Sequence, residues 1–189
     1  MKTLYKNIIF SLAFICVISC NAQQYPLNTL MENIPQGGYV KDLNNELNPY
    51  VGTYRTNFNG NEITLFITKQ ENKYTKRVNK TYFMDVLVMK YIIKNSSGQI
   101  LQDTQNGVTQ LNTIESIRSR PNQNTVILYY EGTNCGVGWG KIILKKINAT
   151  QVSWFYGGNH SMINDQNCSG NPDTTIYLPD EETIIFTKQ

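Results

Sequence analysis

The sequence predicts an all-β protein built as an antiparallel, up-and-down barrel. Apolar and polar residues alternate with a period of two through most of residues 50–189, and these runs are short and evenly spaced. Turn-forming groups such as Ser96-Ser97-Gly98 separate them, and no long helical pattern intervenes. About ten such strands favour a sheet closed on itself. A β-sandwich is the alternative.

Residues 62–69 show the alternation most clearly, because Ile63, Leu65 and Ile67 share one face. The preceding Asn59-Gly60-Asn61 is typical of a tight hairpin turn. Clear strands are predicted at residues 62–69, 85–94, 125–131, 141–147, 151–156 and 183–188, and weaker ones at 51–58, 99–104, 113–119 and 175–178. Residues 42–49, with an Asp at the start and a Pro at the end, predict one or two turns of helix.

The start of the first strand resembles the opening of lipocalin barrels. In that family Gly-x-Trp begins the barrel, and an arginine of the last strand packs over the tryptophan. Here the corresponding residues are Gly52-Thr53-Tyr54 and Lys188. The resemblance implies a barrel rather than a sandwich.

Residues 1–19 are predicted to be an export signal. Lys2 and Lys6 precede an apolar run over residues 8–18, which is shorter than the roughly 20 residues of a membrane-spanning helix. Val17-Ile18-Ser19-Cys20 resembles the lipobox of bacterial lipoproteins. That resemblance implies cleavage before Cys20 and acylation of Cys20, and therefore a signal peptide, a palmitate-type lipid and a membrane anchor.

Three segments follow from this interpretation. Residues 1–19 are the signal, residues 20–38 are a lipidated Cys followed by a flexible tether, and residues 39–189 are a single all-β domain. Loss of Lys2 and Lys6 leaves 15 basic and 14 acidic residues. Because this balance is nearly neutral, the charge does not indicate a nucleic-acid partner.

Cys135 and Cys168 are the cysteines that remain in the folded part. In an exported protein such a pair predicts a disulfide. A catalytic thiol would need a neighbouring base, and a redox pair is more often spaced C-x-x-C.

Few residues indicate chemistry. His160 is the only histidine and lies in a predicted loop without metal-ligand spacing. The glycines of residues 132–141 do not fit a phosphate-binding loop, and a calcium-like run from Asp165 has Ile176 where the twelfth-position Glu would stand. We therefore predict no metal, no cofactor and no enzymatic activity.

The leading hypothesis is a small apolar or amphipathic ligand inside the barrel, contacted by Tyr91, Trp139, Trp154 and Tyr156. The alternative is an interaction module that binds protein or glycan through exposed residues, with Trp139, Phe155 and Tyr156 as candidates. An enzyme acting on envelope glycans is the third hypothesis and would need two converging carboxylates.

The whole chain resembles an uncharacterised family of lipoproteins from Bacteroidota, known only as a domain of unknown function. The matching phrases include Gln24-Tyr-Pro-Leu-Asn28, residues 39–54, residues 62–70, Tyr91-Ile-Ile-Lys-Asn-Ser-Ser-Gly98, Gly138-Trp-Gly-Lys141 and Phe186-Thr-Lys-Gln189. The resemblance implies a lipid-anchored envelope protein, most simply of the outer membrane, and implies no activity.

Overall fold

A computed structural model describes residues 23–77, 79–105 and 113–189. These ranges hold eleven strands and four 3-10 turns. The strands are β1 (Gln24–Pro26), β2 (Tyr39–Lys41), β3 (Gly52–Phe58), β4 (Asn61–Arg77), β5 (Lys80–Lys94), β6 (Ile100–Asp103), β7 (Ile114–Arg120), β8 (Thr125–Tyr130), β9 (Gly140–Lys146), β10 (Gln151–Gly158) and β11 (Thr183–Lys188). The 3-10 turns are Met31–Asn33, Asn48–Tyr50, Pro121–Gln123 and Asn134–Gly136.

Eight of the strands form a closed antiparallel barrel. Their order around the wall is β5-β4-β3-β11-β10-β9-β8-β7, and β7 pairs back with β5. Except for the short β6, which pairs with β5 off this path, consecutive strands are neighbours. The up-and-down barrel predicted from the alternation is therefore confirmed, and the sandwich is not the fold.

Tyr54 and Lys188 join the first and last barrel strands. The two residues pair across β3 and β11, and the Lys188 Nζ lies 5.7 Å from the centroid of the Tyr54 ring. The same ammonium donates to the Val51 carbonyl oxygen at 2.7 Å. Gly52 has a φ of +146°, and a Cβ there would lie 2.4 Å from the Lys188 Cε. Glycine at this position therefore leaves room for the lysine that closes the barrel.

The barrel interior is filled by side chains. Those that point inward are at most 1% exposed, and they are Tyr54, Ile63, Leu65, Ile67, Leu87, Met89, Tyr91, Ile93, Ile114, Val126, Leu128, Tyr130, Ile142, Leu144, Val152, Trp154, Tyr156 and Phe186. Eight strands enclose a space that side chains of this size can fill. The interior is a packed core, and the cleft described below lies outside it.

The N-terminal segment, residues 23–41, packs against the barrel where the wall is incomplete. β5 pairs with β7 only around Val88 and Met89, and its earlier residues pair with β2 in parallel. β1 pairs with β2, and the Ser119 N–H of β7 donates to the Leu27 carbonyl oxygen at 3.2 Å. The segment thus fills the gap between β5 and β7. Leu27 and Ile34 are buried, which differs from the flexible tether expected over residues 20–38.

Two local predictions are wrong. Residues 42–47 form a turn, because Asp42 accepts hydrogen bonds from the Glu46 and Leu47 N–H groups and Asn45 has a positive φ, so the helix expected up to Pro49 does not form. Residues 175–178 form no strand. Their Leu178 is buried, and the neighbouring Pro179 carbonyl accepts a hydrogen bond from Trp154, so this segment packs against the barrel as an irregular loop.

The predicted signal and the lipidated Cys20 lie outside the described residues. Among the residues that are described, no helix is long and apolar enough to cross a membrane.

Candidate functional site

Three of the four predicted ligand-binding aromatics lie in the packed core. Tyr91, Trp154 and Tyr156 are fully buried. The Tyr91 and Tyr130 hydroxyls are 3.1 Å apart, the Trp154 Nε1–H donates to the Pro179 carbonyl at 2.9 Å, and the Tyr156 hydroxyl donates to the Gly138 carbonyl. Burial raises the pKa of both Tyr91 and Tyr156, so both hydroxyls stay protonated. The structure brings these three residues together as core packing rather than as the wall of a cavity.

The fourth, Trp139, lies on the outside of the barrel. It is 41% exposed, and its ring is 6.4 Å from that of Tyr129. Close by in the chain, Cys135 and Cys168 form the predicted disulfide, with their Cα atoms 5.4 Å apart. The bridge ties the turn between β8 and β9 to the long loop between β10 and β11.

The candidate site is an apolar cleft on the outer surface of the barrel, which we call the outer cleft. Its volume is about 380 Å³, within the range of about 300–1,000 Å³ that small-molecule sites occupy. Its lining comes from the N-terminal segment, from β4 and β5, and from the outer faces of β7 and β8: Leu27, Thr29, Leu30, Met31, Glu32, Ile34, Val40, Arg77, Tyr82, Met84, Ile117, Arg118 and Tyr129.

Two irregularities in the strands create this cleft. A bulge between Gln70 and Lys73 of β4 marks the start of the β4–β5 arm, which we define as residues 71–77 and 79–86. Here β5 is paired with β2 instead of β7. A second bulge, between Ser116 and Arg118, breaks the register of β7 with β8. The arm and the outer face of β7 and β8 therefore form two walls, and the N-terminal segment forms the third.

Buried polar contacts hold the arm in place. Asp85 accepts hydrogen bonds from the Tyr39 hydroxyl, from the Asp42 N–H at 3.0 Å and from the Asn72 N–H at 2.9 Å. Lys69 pairs with the buried Asp42 carboxylate at 2.9 Å. These contacts connect β2, the β4 bulge and β5 at one point. They fix the position of the arm relative to the N-terminal segment.

The charged groups that line the outer cleft are two arginines and one glutamate. Arg118 is half-buried, and its Nε–H is buried without a hydrogen-bond partner among the described residues. The guanidinium carbon of Arg77 lies 5.7 Å from the centroid of the Tyr129 ring. The one acid that lines the cleft, Glu32, is exposed. The site therefore combines an apolar floor with positive charge.

A second surface is apolar without being concave. Ile143, Phe155 and Ile185 point outward from β9, β10 and β11 and are 36–41% exposed, like Trp139. Ile143 and Phe155 are direct cross-strand partners. We call these four residues the outer stripe.

The described residues contain no group of three or more His, Cys, Asp or Glu side chains arranged to hold a metal ion. No arrangement of nucleophile and base stands out in the outer cleft, whose lining includes one carboxylate and two guanidinium groups. A concave apolar surface of this size can bind a small molecule.

The fold and the cleft define a β-barrel domain with an external apolar site. The chain belongs to a family of unknown function, DUF6705, whose model matches residues 1–189. No curated protein and no solved structure matches the chain.

Sequence reasoning missed the outer cleft as a whole. Its residues come from separate stretches of the chain, and none of these stretches carries a motif. The one signal that pointed toward it is the set of apolar residues Leu27, Leu30 and Ile34 in a segment that otherwise resembles a tether.

Proposed function

We propose that this chain is a lipid-anchored, non-enzymatic protein of the cell envelope whose barrel domain binds a small apolar or amphipathic ligand in the outer cleft. The observation that carries the binding proposal is the cleft itself, a concave apolar surface of ligand size between the N-terminal segment, the β4–β5 arm and the outer face of β7 and β8. The lipobox-like Val17-Ile18-Ser19-Cys20 and the resemblance to lipoproteins of Bacteroidota support the anchor and an outer-membrane location.

The outer cleft replaces the barrel interior as the proposed ligand site. A filled interior offers no space unless large side chains move, which costs packing energy. The outer cleft needs no such change, because Leu30 and Met31 at its margin are already more than 40% exposed. Burial of such side chains under a ligand stabilises the complex by about 25 cal/mol for each Å² removed from water.

The test uses a neutral apolar fluorescent probe, N-phenyl-1-naphthylamine, and a pair of matched variants. Leu30→Glu places a carboxylate at the cleft margin, and Leu43→Glu makes the same change at a residue that is 50% exposed and outside the cleft. We expect Leu30→Glu to weaken probe binding at least about tenfold, because the carboxylate would lose water where the apolar probe covers it. A tenfold loss corresponds to about 1.4 kcal/mol. Leu43→Glu should leave probe binding unchanged. Equal effects of the two variants, or no binding by the unmodified chain, would contradict the proposal.

The outer stripe supports a second candidate function, an interaction module for protein or glycan. Exposed aromatic and apolar side chains on neighbouring strands are typical of such surfaces. Of the residues predicted for this role, Trp139 and Phe155 are exposed and Tyr156 is buried. A folded chain that fails to bind the probe would favour this candidate over the first.

A further inference from the structure

We infer that the ligand of the outer cleft is a single-chain amphiphile with an anionic head group, which Arg118 and Arg77 bind. This inference rests on the proposed function and adds the chemical class of the ligand. It follows from the positions of the two arginines and from the unpaired Nε–H of Arg118.

Arg118 is the first observation. Its Nε–H is buried without a partner among the described residues, and a buried unpaired donor on a charged group costs free energy. Arg118 follows the β7 bulge and pairs across the strands with Ile127, on the outer face that lines the cleft. A carboxylate or phosphate oxygen of a ligand would accept from this group and satisfy it. Arginine presents its donors as a planar fork that suits such oxygens.

Arg77 is the second observation. It reaches the cleft from the end of β4, while Arg118 reaches it from β7, so the two cations come from different walls. Arg77 lies over the Tyr129 ring and has no ion pair among the described residues. The two cations repel each other and attract an anion placed between them.

The apolar lining of the cleft determines the rest of the ligand. Leu27, Ile34 and Met84 are buried at the base of the cleft, and Leu30 and Met31 stand at its open margin. This surface suits an alkyl chain, which gains free energy from burial and needs no polar partner. A charged head beside the arginines and an alkyl chain along these residues describe one amphiphile. The shared chemistry is an anionic head on a single chain, whether the head is a carboxylate or a phosphate.

Isothermal titration calorimetry of the purified full-length chain tests the inference, with three ligands of equal chain length below their micellar concentrations. Dodecanoate and dodecyl phosphate carry the two anionic heads, and monolauroylglycerol is the neutral comparison. We expect at least one anionic ligand to bind at least tenfold more tightly than monolauroylglycerol. The tighter of the two identifies the head group.

The variant Arg118→Gln removes the charge and keeps much of the side-chain volume. We expect it to weaken binding of the anionic ligand at least tenfold more than it weakens binding of monolauroylglycerol. Arg120→Gln is the matched control, since Arg120 lies on the same face of β7 but is exposed and outside the cleft. Arg77→Gln, at the opposite wall, should also weaken the anionic ligand.

The outcomes separate the inference from the proposed function. Equal affinity for charged and neutral ligands would overturn the inference and leave the proposed function standing. No binding of any ligand by a folded chain would overturn both. An equal loss in Arg118→Gln and Arg120→Gln would show a general effect of charge and would also overturn the inference.

Discussion

Asp85 lies where the β4–β5 arm departs from the barrel wall, and it is 1% exposed. Burial raises the pKa of its carboxyl, but the hydrogen bonds from Tyr39 and from the Asp42 and Asn72 N–H groups, together with the charge of Lys69, outweigh burial, so the pKa is lowered overall. The ionised form is therefore the one that the folded state holds. Two of its donors, Tyr39 and Asp42, come from β2 and the residue that follows it, and the third, Asn72, comes from the β4 bulge. Asp85 therefore connects β5 to both of these segments.

Asp85→Asn should destabilise the protein by about 2–4 kcal/mol at neutral pH. The carboxylate has two acceptor oxygens for its three donors, whereas the amide of asparagine has one, so at least one buried donor would lose its partner. The pKa of Asp85 is lower in the folded state, so its stabilising contribution is present above its ordinary pKa of 3.8 and is lost as the pH falls. The free energy of unfolding, measured with urea between about pH 5 and pH 2, should consequently fall less steeply in the variant.

The exposed Asp165→Asn is the control and should match the unmodified chain at every pH. If Asp85→Asn retained the full acid dependence, the carboxylate would not have the role given to it here.

The sequence predicts the surroundings of some residues and not of others. The resemblance to the lipocalin opening singles out Tyr54 and Lys188, and the structure places the Lys188 ammonium over the Tyr54 ring. Trp154 and Tyr156 were placed on one strand face correctly, but a strand pattern cannot distinguish a core from a cavity wall. Arg118 carried no signal, because its environment depends on a bulge and on a distant segment.

At the scale of elements, the eight barrel strands were predictable because one face of each is buried, which imposes a period of two. β1 and β2 were not predicted, since strands of three residues are too short for alternation to show. Residues 175–178 show the opposite error. Ile176 and Leu178 alternate like a strand, but they pack from an irregular loop against one end of the barrel.

The buried residues of the N-terminal segment should stabilise the folded state as core residues do. Leu27 is 1% exposed and Leu30 is 42% exposed, and both line the outer cleft from the same short stretch. Truncation of a buried leucine costs about 2–5 kcal/mol, whereas truncation of an exposed one costs little. We expect Leu27→Ala to lower the free energy of unfolding by about 2–4 kcal/mol and Leu30→Ala by less than about 0.5 kcal/mol.

Urea denaturation of the two variants makes this comparison directly. Equal and small losses would mean that residues 23–38 act as a tether after all. A large loss confined to Leu27→Ala would show that the segment belongs to the folded unit.

At the scale of the whole molecule, the packed N-terminal segment limits the distance between the barrel and a membrane anchor on Cys20. The sequence alone suggested a tether as far as residue 38, but the packed region begins at β1 with Gln24. Four peptide units separate Cys20 from Gln24 and span at most about 14 Å. An acyl anchor on Cys20 would therefore keep the barrel close to the bilayer. The outer cleft, whose lining begins at Leu27, would lie on the same part of the molecule as the anchor.

The anchor is tested by Cys20→Ser. Each buried methylene of an acyl chain contributes about 0.8 kcal/mol, and two chains suffice for stable attachment, so the unmodified chain should remain in the membrane fraction through salt and carbonate washes. Cys20→Ser removes the only thiol at the lipobox-like site and should move the chain out of that fraction. Ser19→Ala keeps a small residue before Cys20 and should leave the chain with the membrane. A Cys20→Ser chain that still sediments wholly with the membrane would refute acylation of Cys20 as the anchor.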